Sequence, residues 1–498
     1  MMARLLPRRP GGRERGDPFP RRVHLVGAGG IHISAIAELL LARGHLVSGS
    51  DLAPSAITRR LQQLGATIYS GHDASQIGSA ELVVATAAAA EENPEISAAR
   101  ARGIRVATRA ETVARLVADR DLLAVAGTHG KTTTSTLLAL MLVRGALDPL
   151  VLLGGQSRDL AALAPQGAVA HPAPGTALRD GSGAHAVVEA DEYAGAFLHY
   201  EPRVAVVTSI EPDHLDYYGT EARLREAFAG FAARVVDGGT LVVCADDPGS
   251  AALGAAREAA GSRVEGYGIA EERDVAWRAT ALRLNDDGGY DFAVRWNGRD
   301  LGALSLRVPG RHNVLNALGA LAAAMRAGVD FHRAAAAAGD FTGAHRRFEG
   351  HGDVTLEGDT VTLVDDYAHH PTEVRATVAA ARQRYPGRRL VGCFQPHTFS
   401  RSAYLLDGFR SCFEGLARLY LVPTYAAREP ASAGLDASAL AHEIGRPRAT
   451  YLEDLDSGAD RIASELEPGD VFLTLGAGPV DRLLPMVRAR LLARGATP

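Results

Sequence analysis

The chemistry of a phosphate site is written into Gly127-Thr128-His129-Gly130-Lys131-Thr132-Thr133-Thr134, which follows the apolar run Leu122–Ala126. Gly127 and Gly130 let a loop turn its backbone N–H groups toward an anion. A helix starting near Lys131 adds its positive dipole end, and Thr132 offers a hydroxyl of the kind that meets Mg²⁺. Gly127, Thr128, Gly130, Lys131, Thr132 and Thr133 are therefore candidates for holding a nucleoside triphosphate. Two residues separate the glycines where the general pattern has four, and Val125 stands in the place of the first glycine, so the spacing alone does not carry the reading. The lysine does. The chain holds 53 Lys+Arg, and Lys131 is its only lysine. A composition that has settled on arginine elsewhere keeps one compact, rotatable ammonium at the position where it would reach between phosphate oxygens.

Further candidates stand where apolar runs end. Ala186-Val187-Val188 leads into Glu189-Ala190-Asp191-Glu192, and Val204–Ile210 leads into Glu211-Pro212-Asp213-His214-Leu215-Asp216. Acids and a histidine at strand carboxyl ends beside a phosphate loop suit Mg²⁺, a hard cation that takes oxygen ligands. Glu189, at the strand boundary, is read as functional; Asp191 and Glu192 are read as solvated loop acids. Asn313 and Asn316 are three apart and share a face of the helix that follows Pro309-Gly310; read otherwise, one of them is a helix cap. Near the C-terminal end, three strands each run into polar loops: Asp365-Asp366-Tyr367-Ala368-His369-His370, Gln395-Pro396-His397-Thr398-Phe399-Ser400-Arg401, and Gly476-Ala477-Gly478.

The elements that must position these groups are alternating strands and helices. Val23–Val26, the loop Gly27-Ala28-Gly29-Gly30, a helical run to Leu41 and a strand ending at Ser50-Asp51 make a Rossmann-type unit. His32 replaces the third fingerprint glycine, which argues against ordinary NAD binding while permitting a diphosphate at the helix N-terminus. Asp51 either holds a ribose or caps the next helix. The 498 residues are too many for one core. The expected class is α/β with three domains: a Rossmann-like N-terminal domain over 21–120, a central P-loop ATPase domain over 121–340 with a parallel sheet and a small β-rich part from Val275 to Val308, and a Rossmann-like C-terminal domain over 341–498. Residues 1–20 read as a disordered basic tail, and 156–185, rich in Ala, Pro and Gly without clear period, as an excursion loop.

A net charge of −5 gives no hint of a nucleic-acid surface. Cys244, Cys393 and Cys412 lie far apart without metal spacing and read as buried reduced thiols of a cytoplasmic protein. No apolar run approaches a membrane span, so no membrane insertion is expected.

The ordered set Gly127–Thr134, Glu189–Glu192, Glu211–Asp216, Gly310–Ala317, His345–Glu349, Asp365–Glu373 and Phe394–Arg401 resembles the Mur ligases of peptidoglycan synthesis, from about Val23 to Gly478. The resemblance implies ATP-dependent joining of L-alanine to the lactyl carboxylate of UDP-N-acetylmuramate through an acyl phosphate, by a monomer or homodimer. It implies that Lys131 neutralises the β- and γ-phosphates, that Thr132 and Glu189 hold one Mg²⁺, and that His214 assists a second. Asn313 and Asn316 would contact the base, and Arg347 and Asp366 would bind the nucleotide from the third domain. His369, His397 and Arg401 would receive the amino acid, with Arg401 on its carboxylate. Gly27, Gly29, Gly30, Ser50 and Asp51 would take the sugar nucleotide. Two departures accompany the resemblance: related ligases often give the metal a carbamoylated lysine, which this chain lacks, and Thr86-Ala87-Ala88-Ala89 is poor in hydroxyls for a sugar-nucleotide loop.

The nearest rival is a sister ligase that adds a recycled L-alanyl-γ-D-glutamyl-diaminopimelate peptide to the same sugar nucleotide; the segments Asp365–Glu373 and His397–Arg401 lean toward a single amino acid. A ligase acting on folate or polyamino acids fits the N-terminal glycine loop and Asp51 less well. A regulatory protein that has lost catalysis is opposed by the intact Lys131, Thr132, Glu189 and His214.

Overall fold

The computed structural model describes residues 19–86, 89–90, 92–163, 175–427 and 429–497. The expected tail up to residue 18, Ala87 and Ala88 of the hydroxyl-poor loop, and 164–174 of the excursion loop lie outside the described residues. The chain forms two compact units. The first comprises the chain up to Ile210, Arg225–Val275 and Gly319–Ala337; the second comprises Glu211–Leu224, Ala276–Leu318 and the chain from Ala338.

In the first unit, β1 (Arg22–Val26), β2 (Leu46–Asp51), β3 (Thr67–Ser70), β4 (Leu82–Ala85) and β5 (Arg105–Thr108) form an all-parallel sheet in the order β3-β2-β1-β4-β5. The order reverses at β1, so the loop after it opens into the crevice where such sheets bind ligands. A second sheet is built from β6 (Asp121–Ala126), β7 (Leu150–Ser157), β8 (Thr176–Asp180), β9 (His185–Glu189), β10 (Val204–Val207), β11 (Thr240–Cys244) and β12 (Val264–Gly268), ordered β12-β11-β10-β6-β9-β7-β8. Its members are parallel except β8, which runs antiparallel to β7. β6 is central, and its Leu122–Ala126 are all buried, as a strand covered on both faces requires. The helix that follows, Lys131–Arg144, buries every residue from Thr132 to Leu142. Its internal hydroxyls are satisfied by the preceding turn, Ser135 donating to the Lys131 carbonyl and Thr136 to that of Thr132.

One expectation fails here. The stretch 156–185 is not simply an excursion loop, because β7 continues to Ser157, a short helix spans Arg158–Ala162, and β8 returns along the sheet edge.

In the second unit, β13 (Trp277–Leu284), β14 (Tyr290–Trp296) and β15 (Arg299–Leu306) form an antiparallel meander, with Trp277 stacked on Trp296 at 5.5 Å. The turn between β13 and β14 contains Asp287-Gly288-Gly289. The last sheet holds β16 (Glu349–Leu356), β17 (Asp359–Asp366), β18 (Leu390–Phe394), β19 (Arg418–Leu421), β20 (Ala449–Tyr451) and β21 (Val471–Leu475), ordered β16-β17-β21-β18-β19-β20. All pairs are parallel except β16 with β17. The three strands that end in polar loops, β17, β21 and β18, are therefore neighbours, and two apolar clusters cover the sheet. No described helix is long and apolar enough to cross a membrane.

Candidate active site

The phosphate loop in the first unit is shaped by the two glycines at φ +133° (Gly127) and +78° (Gly130). A Cβ on Gly127 would lie 2.0 Å from Thr208 Oγ1, so the strand end of β10 closes against the loop only because the side chain is missing. Ser209 accepts the Thr128 N–H at its carbonyl and the His129 N–H at its hydroxyl, which fixes the loop from that side. Gly130 caps the helix without a side chain, so the first helical N–H groups are left to an anion. Thr132 and Thr133 stand in this first turn, both buried. Thr132 Oγ1 donates to Glu189 Oε1 at 3.0 Å, and Glu189 Oε2 accepts the Gly154 N–H at 2.8 Å. A hydroxyl and a carboxylate held together at a strand end are the hard oxygen donors that fit Mg²⁺.

Lys131 turns back across its own loop. Its ammonium donates to the carbonyls of Gly127 (2.6 Å) and Thr128 (3.2 Å) and lies 2.8 Å from Glu192 Oε2. Burial alone would pull the amine's pKa down; the charges of Glu192 and Asp191 hold it above the ordinary value. The reading of Asp191 and Glu192 as solvated acids is thus corrected. Glu192 is 1% exposed and is the lysine's counter-ion, while Asp191 accepts from Arg109 at 3.2 Å. The signal available in the sequence was the lysine itself, since a buried ammonium needs an anion close by.

In the first sheet, Gly27 and Ala28 both donate to the Ser50 carbonyl, and Gly30 donates to that of Gly27. Asp51 neither caps the next helix, whose cap is Ser55, nor points away from the loop; its Oδ2 accepts the Gly29 N–H at 2.8 Å. Ser50, expected at the sugar nucleotide, has its side chain fully buried. Its hydroxyl donates to Glu95 Oε2 at 2.6 Å, within a network where Glu95 also meets His24 (2.9 Å) and His72 (2.7 Å). Ser50 therefore shapes the loop through its carbonyl. His32 is half-buried beside Arg109 and Asp191, and its Nε2, shielded from solvent, has no hydrogen-bond partner among the described residues.

The second unit gathers the remaining candidates. Asn316 Nδ2 donates to Asn313 Oδ1 at 3.0 Å, and Asn313 Nδ2 donates to the Pro309 carbonyl; both sit inside the helix Arg311–Arg326, so neither is its cap. At the end of β17, Asp366 accepts the N–H groups of Phe348 and Ala368 at 2.8 and 2.7 Å, yet burial pushes its pKa up to about 6 against the opposing charge of Arg347. The Arg347 guanidinium lies over the Tyr367 ring at 5.1 Å and 3.7 Å from Glu373.

After β18 the chain passes through Thr398 at φ +63°, ψ 146°, a backbone conformation costly for a β-branched residue. It then enters the short helix Phe399–Tyr404. That turn faces Arg401 and Tyr404 toward Asp213. Arg401 Nε and Nη2 donate to Asp213 Oδ1 at 3.0 and 2.6 Å, and Nη1 approaches His397 Nδ1 at 2.6 Å. Burial opposes the Asp213 charge, but Arg401, with His214 and His369, holds the carboxyl well below its usual range. Both partners are about 95% buried, so loss of either would strand a charge at a cost of roughly 3–5 kcal/mol. His214, at φ +53°, lies with Nε2 3.8 Å from Asp213 Oδ2. Burial drives His369 down to about 4 and His397 to about 2, with Arg401 adding to both. The rings of His369 and His397 are 5.6 Å apart.

Sequence reasoning expected Arg401 to present its fork to a substrate carboxylate; in the structure that fork already holds a carboxylate of the chain. The sequence marked Asp213 among the acids after Ile210 as suited to Mg²⁺ but not as the partner of Arg401, and Tyr404 was missed, because the groups they meet are distant along the chain.

Three successive stretches of the chain match models of one family. The Mur ligase family catalytic domain matches residues 22–121, the Mur ligase middle domain 125–324, and the Mur ligase glutamate ligase domain 346–478. The chain is 42% identical over 484 residues to a UDP-N-acetylmuramate–L-alanine ligase of Symbiobacterium thermophilum, covering 96% of each. It is 40% identical over 464 residues to the protein of the same name in Solidesulfovibrio magneticus, covering 92% of this chain and 96% of that one. The solved UDP-N-acetylmuramate-alanine ligase of Thermotoga maritima superposes with a TM-score of 0.76 at 26% identity, covering 95% of this chain and 99% of the other. Matched in order by three models of one family and related at this level over nearly its whole length, the chain belongs to the Mur ligases.

Proposed function

We propose that the chain joins L-alanine to the lactyl carboxylate of UDP-N-acetylmuramate, with ATP converted to ADP and phosphate, as a step of peptidoglycan precursor synthesis in the cytoplasm. The observation that carries this reading is the phosphate loop with its one lysine and the Thr132–Glu189 pair, in a chain about 40% identical to ligases of that name.

A carboxylate is a poor electrophile until its oxygen is made a leaving group, and phosphoryl transfer asks a protein mainly for positioning and charge neutralisation. Lys131 and the helix N-terminus behind it neutralise the β- and γ-phosphates. Thr132 and Glu189 hold Mg²⁺, with His214 the candidate for a second ion. The metal, when bound, screens the charge on the phosphate oxygens. Asn313 and Asn316 meet the base, and Arg347 and Asp366 meet the nucleotide. The loop of Gly27, Gly29 and Gly30, braced by Asp51 and shaped by Ser50, takes the diphosphate of the sugar nucleotide. The lactyl carboxylate oxygen attacks the γ-phosphorus and ADP leaves. The neutral amine of alanine, held near His369, His397 and Arg401, then attacks the acyl carbon. The tetrahedral intermediate expels phosphate, and the amine's proton passes to solvent.

The test is phosphate release from ATP and Mg²⁺ with UDP-N-acetylmuramate, run with L-alanine or with the L-alanyl-γ-D-glutamyl-diaminopimelate peptide. Release with alanine, and alanylated sugar nucleotide as product, is expected; release only with the peptide assigns the chain to recycling. Lys131→Ala should lower turnover by at least about 10³-fold in a chain that still folds, with a lower melting temperature because the Glu192 charge is left without its partner. Retained ligation in that variant would remove the lysine from the chemistry.

A further inference from the structure

Arg401 has five N–H donors, and its surroundings leave no two-donor edge open to a ligand. The Nε/Nη2 edge converges on Asp213 Oδ1 at 3.0 and 2.6 Å. Nη1 faces His397 Nδ1 at 2.6 Å and the His397 carbonyl at 3.4 Å. The same Asp213 oxygen accepts the Tyr404 hydroxyl at 3.2 Å and the His214 N–H at 2.7 Å. The guanidinium edge is a carboxylate site that the chain fills itself, and the phenol and the backbone N–H hold the Asp213 oxygen in it. The segment that supplies Asp213 is anchored on its upstream side: Thr372 Oγ1 donates to Glu211 Oε2 at 2.6 Å, and His370 Nε2 lies 3.3 Å from the Pro212 carbonyl. Beyond Asp213 the backbone turns through the left-handed conformation of His214. Glu211 and Pro212 anchor the segment through contacts of their own, so its place does not depend on the bond between Asp213 and Arg401.

We propose that Asp213 is the resident occupant of the site for the amino acid's α-carboxylate. It keeps Arg401 oriented while the site waits, and it gives way when the incoming carboxylate takes the guanidinium edge of Arg401, so that the strength of its hold on Arg401 sets the affinity for the amino acid. This rests on the ligase reading given above and specifies how that reaction selects its acceptor. An amine without an α-carboxylate has nothing with which to displace Asp213, and is excluded by competition within the chain and not by shape.

The decisive measurement is the split of KM values in variants that loosen the resident. Asp213→Asn keeps the shape and removes the charge; Tyr404→Phe removes one donor and nothing else. KM for L-alanine should fall by about 3- to 10-fold in the first and about 2- to 3-fold in the second, with KM for ATP unchanged. A rise in alanine KM in either variant would mean that Asp213 only positions Arg401, and an equal change in both KM values would trace the effect to the nucleotide site; either overturns the proposal, as does no change. Tyr404→Phe decides if Asp213→Asn does not fold. A second readout needs no turnover: sodium acetate should raise the melting temperature of Asp213→Ala more than that of the natural chain, where the resident competes, with sodium chloride at equal ionic strength as the control. Equal responses to acetate in both would also overturn it. Should alanine prove not to be the substrate, the acetate response still reports on the carboxylate site, so the two failures are told apart.

Discussion

At the scale of single residues, the chain neutralises its buried cations with its own acids. Lys131 holds Glu192 and Arg401 holds Asp213, because a charge removed from water needs a partner whether or not a ligand is present. His32 is solved differently. It occupies the position of a fingerprint glycine, its Nε2 has no hydrogen-bond partner among the described residues, and burial, with Arg109 adding and Asp191 opposing, lowers its pKa to about 3. The imidazole is therefore kept neutral. In the unfolded chain it takes up a proton near pH 6.5, so the stability it permits is full above that pH and is lost as the pH falls toward 3. At pH 5 the loss is about 2 kcal/mol, on the order of 1.4 kcal/mol for each unit below 6.5. His32→Gln cannot charge and should escape this term. Urea denaturation at pH 7.5 and pH 5 checks it: the acid-induced fall in stability should be smaller in the variant by that amount. Equal falls would mean that His32 does not titrate apart from its surroundings.

At the scale of elements, the site depends on strands that bring no side chains of their own. A Cβ on Gly154 of β7 would lie 2.2 Å from Glu189 Oε1, and one on Gly155 would lie 2.7 Å from Thr132 Cγ2. The neighbouring strand is bare where the carboxylate and hydroxyl need room. Gly154→Ala should push the Glu189 carboxylate away from Thr132 and strain its bond to the residue 154 N–H, raising the Mg²⁺ concentration for half-maximal phosphate release by about tenfold, or about 1.4 kcal/mol. A Mg²⁺ titration of the variant measures this, and an unchanged midpoint would show that Glu189 does not hold the metal. This part of the site was not legible in the sequence. Gly154-Gly155 lies beside the stretch read as an excursion, and β8, the antiparallel edge that shares β7's register, owes its place to pairing and not to its own pattern. The parallel strands were legible for the opposite reason. Leu82–Ala85, Leu390–Phe394 and Val471–Leu475 are short apolar runs bounded by polar loops, and a strand buried on both faces has no other way to be written.

At the scale of the whole molecule, what the sequence hides is pairing at a distance. Lys131 and Glu192 are 61 residues apart, and Asp213 and Arg401 are 188 apart. Composition marks Lys131 as chemical and the resemblance to the Mur ligases marks Arg401, but which acid each of them meets is decided by strand order. One property of the full chain turns this into a measurement. With Lys131 the only lysine in 498 residues, an amine-directed acylating reagent has one side-chain amine to find, and peptide mapping separates it from any α-amine. Only the neutral amine reacts, and Glu192, with Asp191, holds the Lys131 pKa above its ordinary value, so at pH 8 acylation of the natural chain should be slow. Glu192→Gln removes the nearest negative charge, lowers that pKa and should speed labelling by about tenfold for each unit gained. ATP with Mg²⁺ should protect the lysine in both proteins by covering the loop with phosphate. If Glu192→Gln labels no faster, Glu192 is not the charge that holds Lys131 across its loop. If ATP gives no protection, the loop is not where the phosphates bind, whatever the turnover of the Lys131→Ala variant.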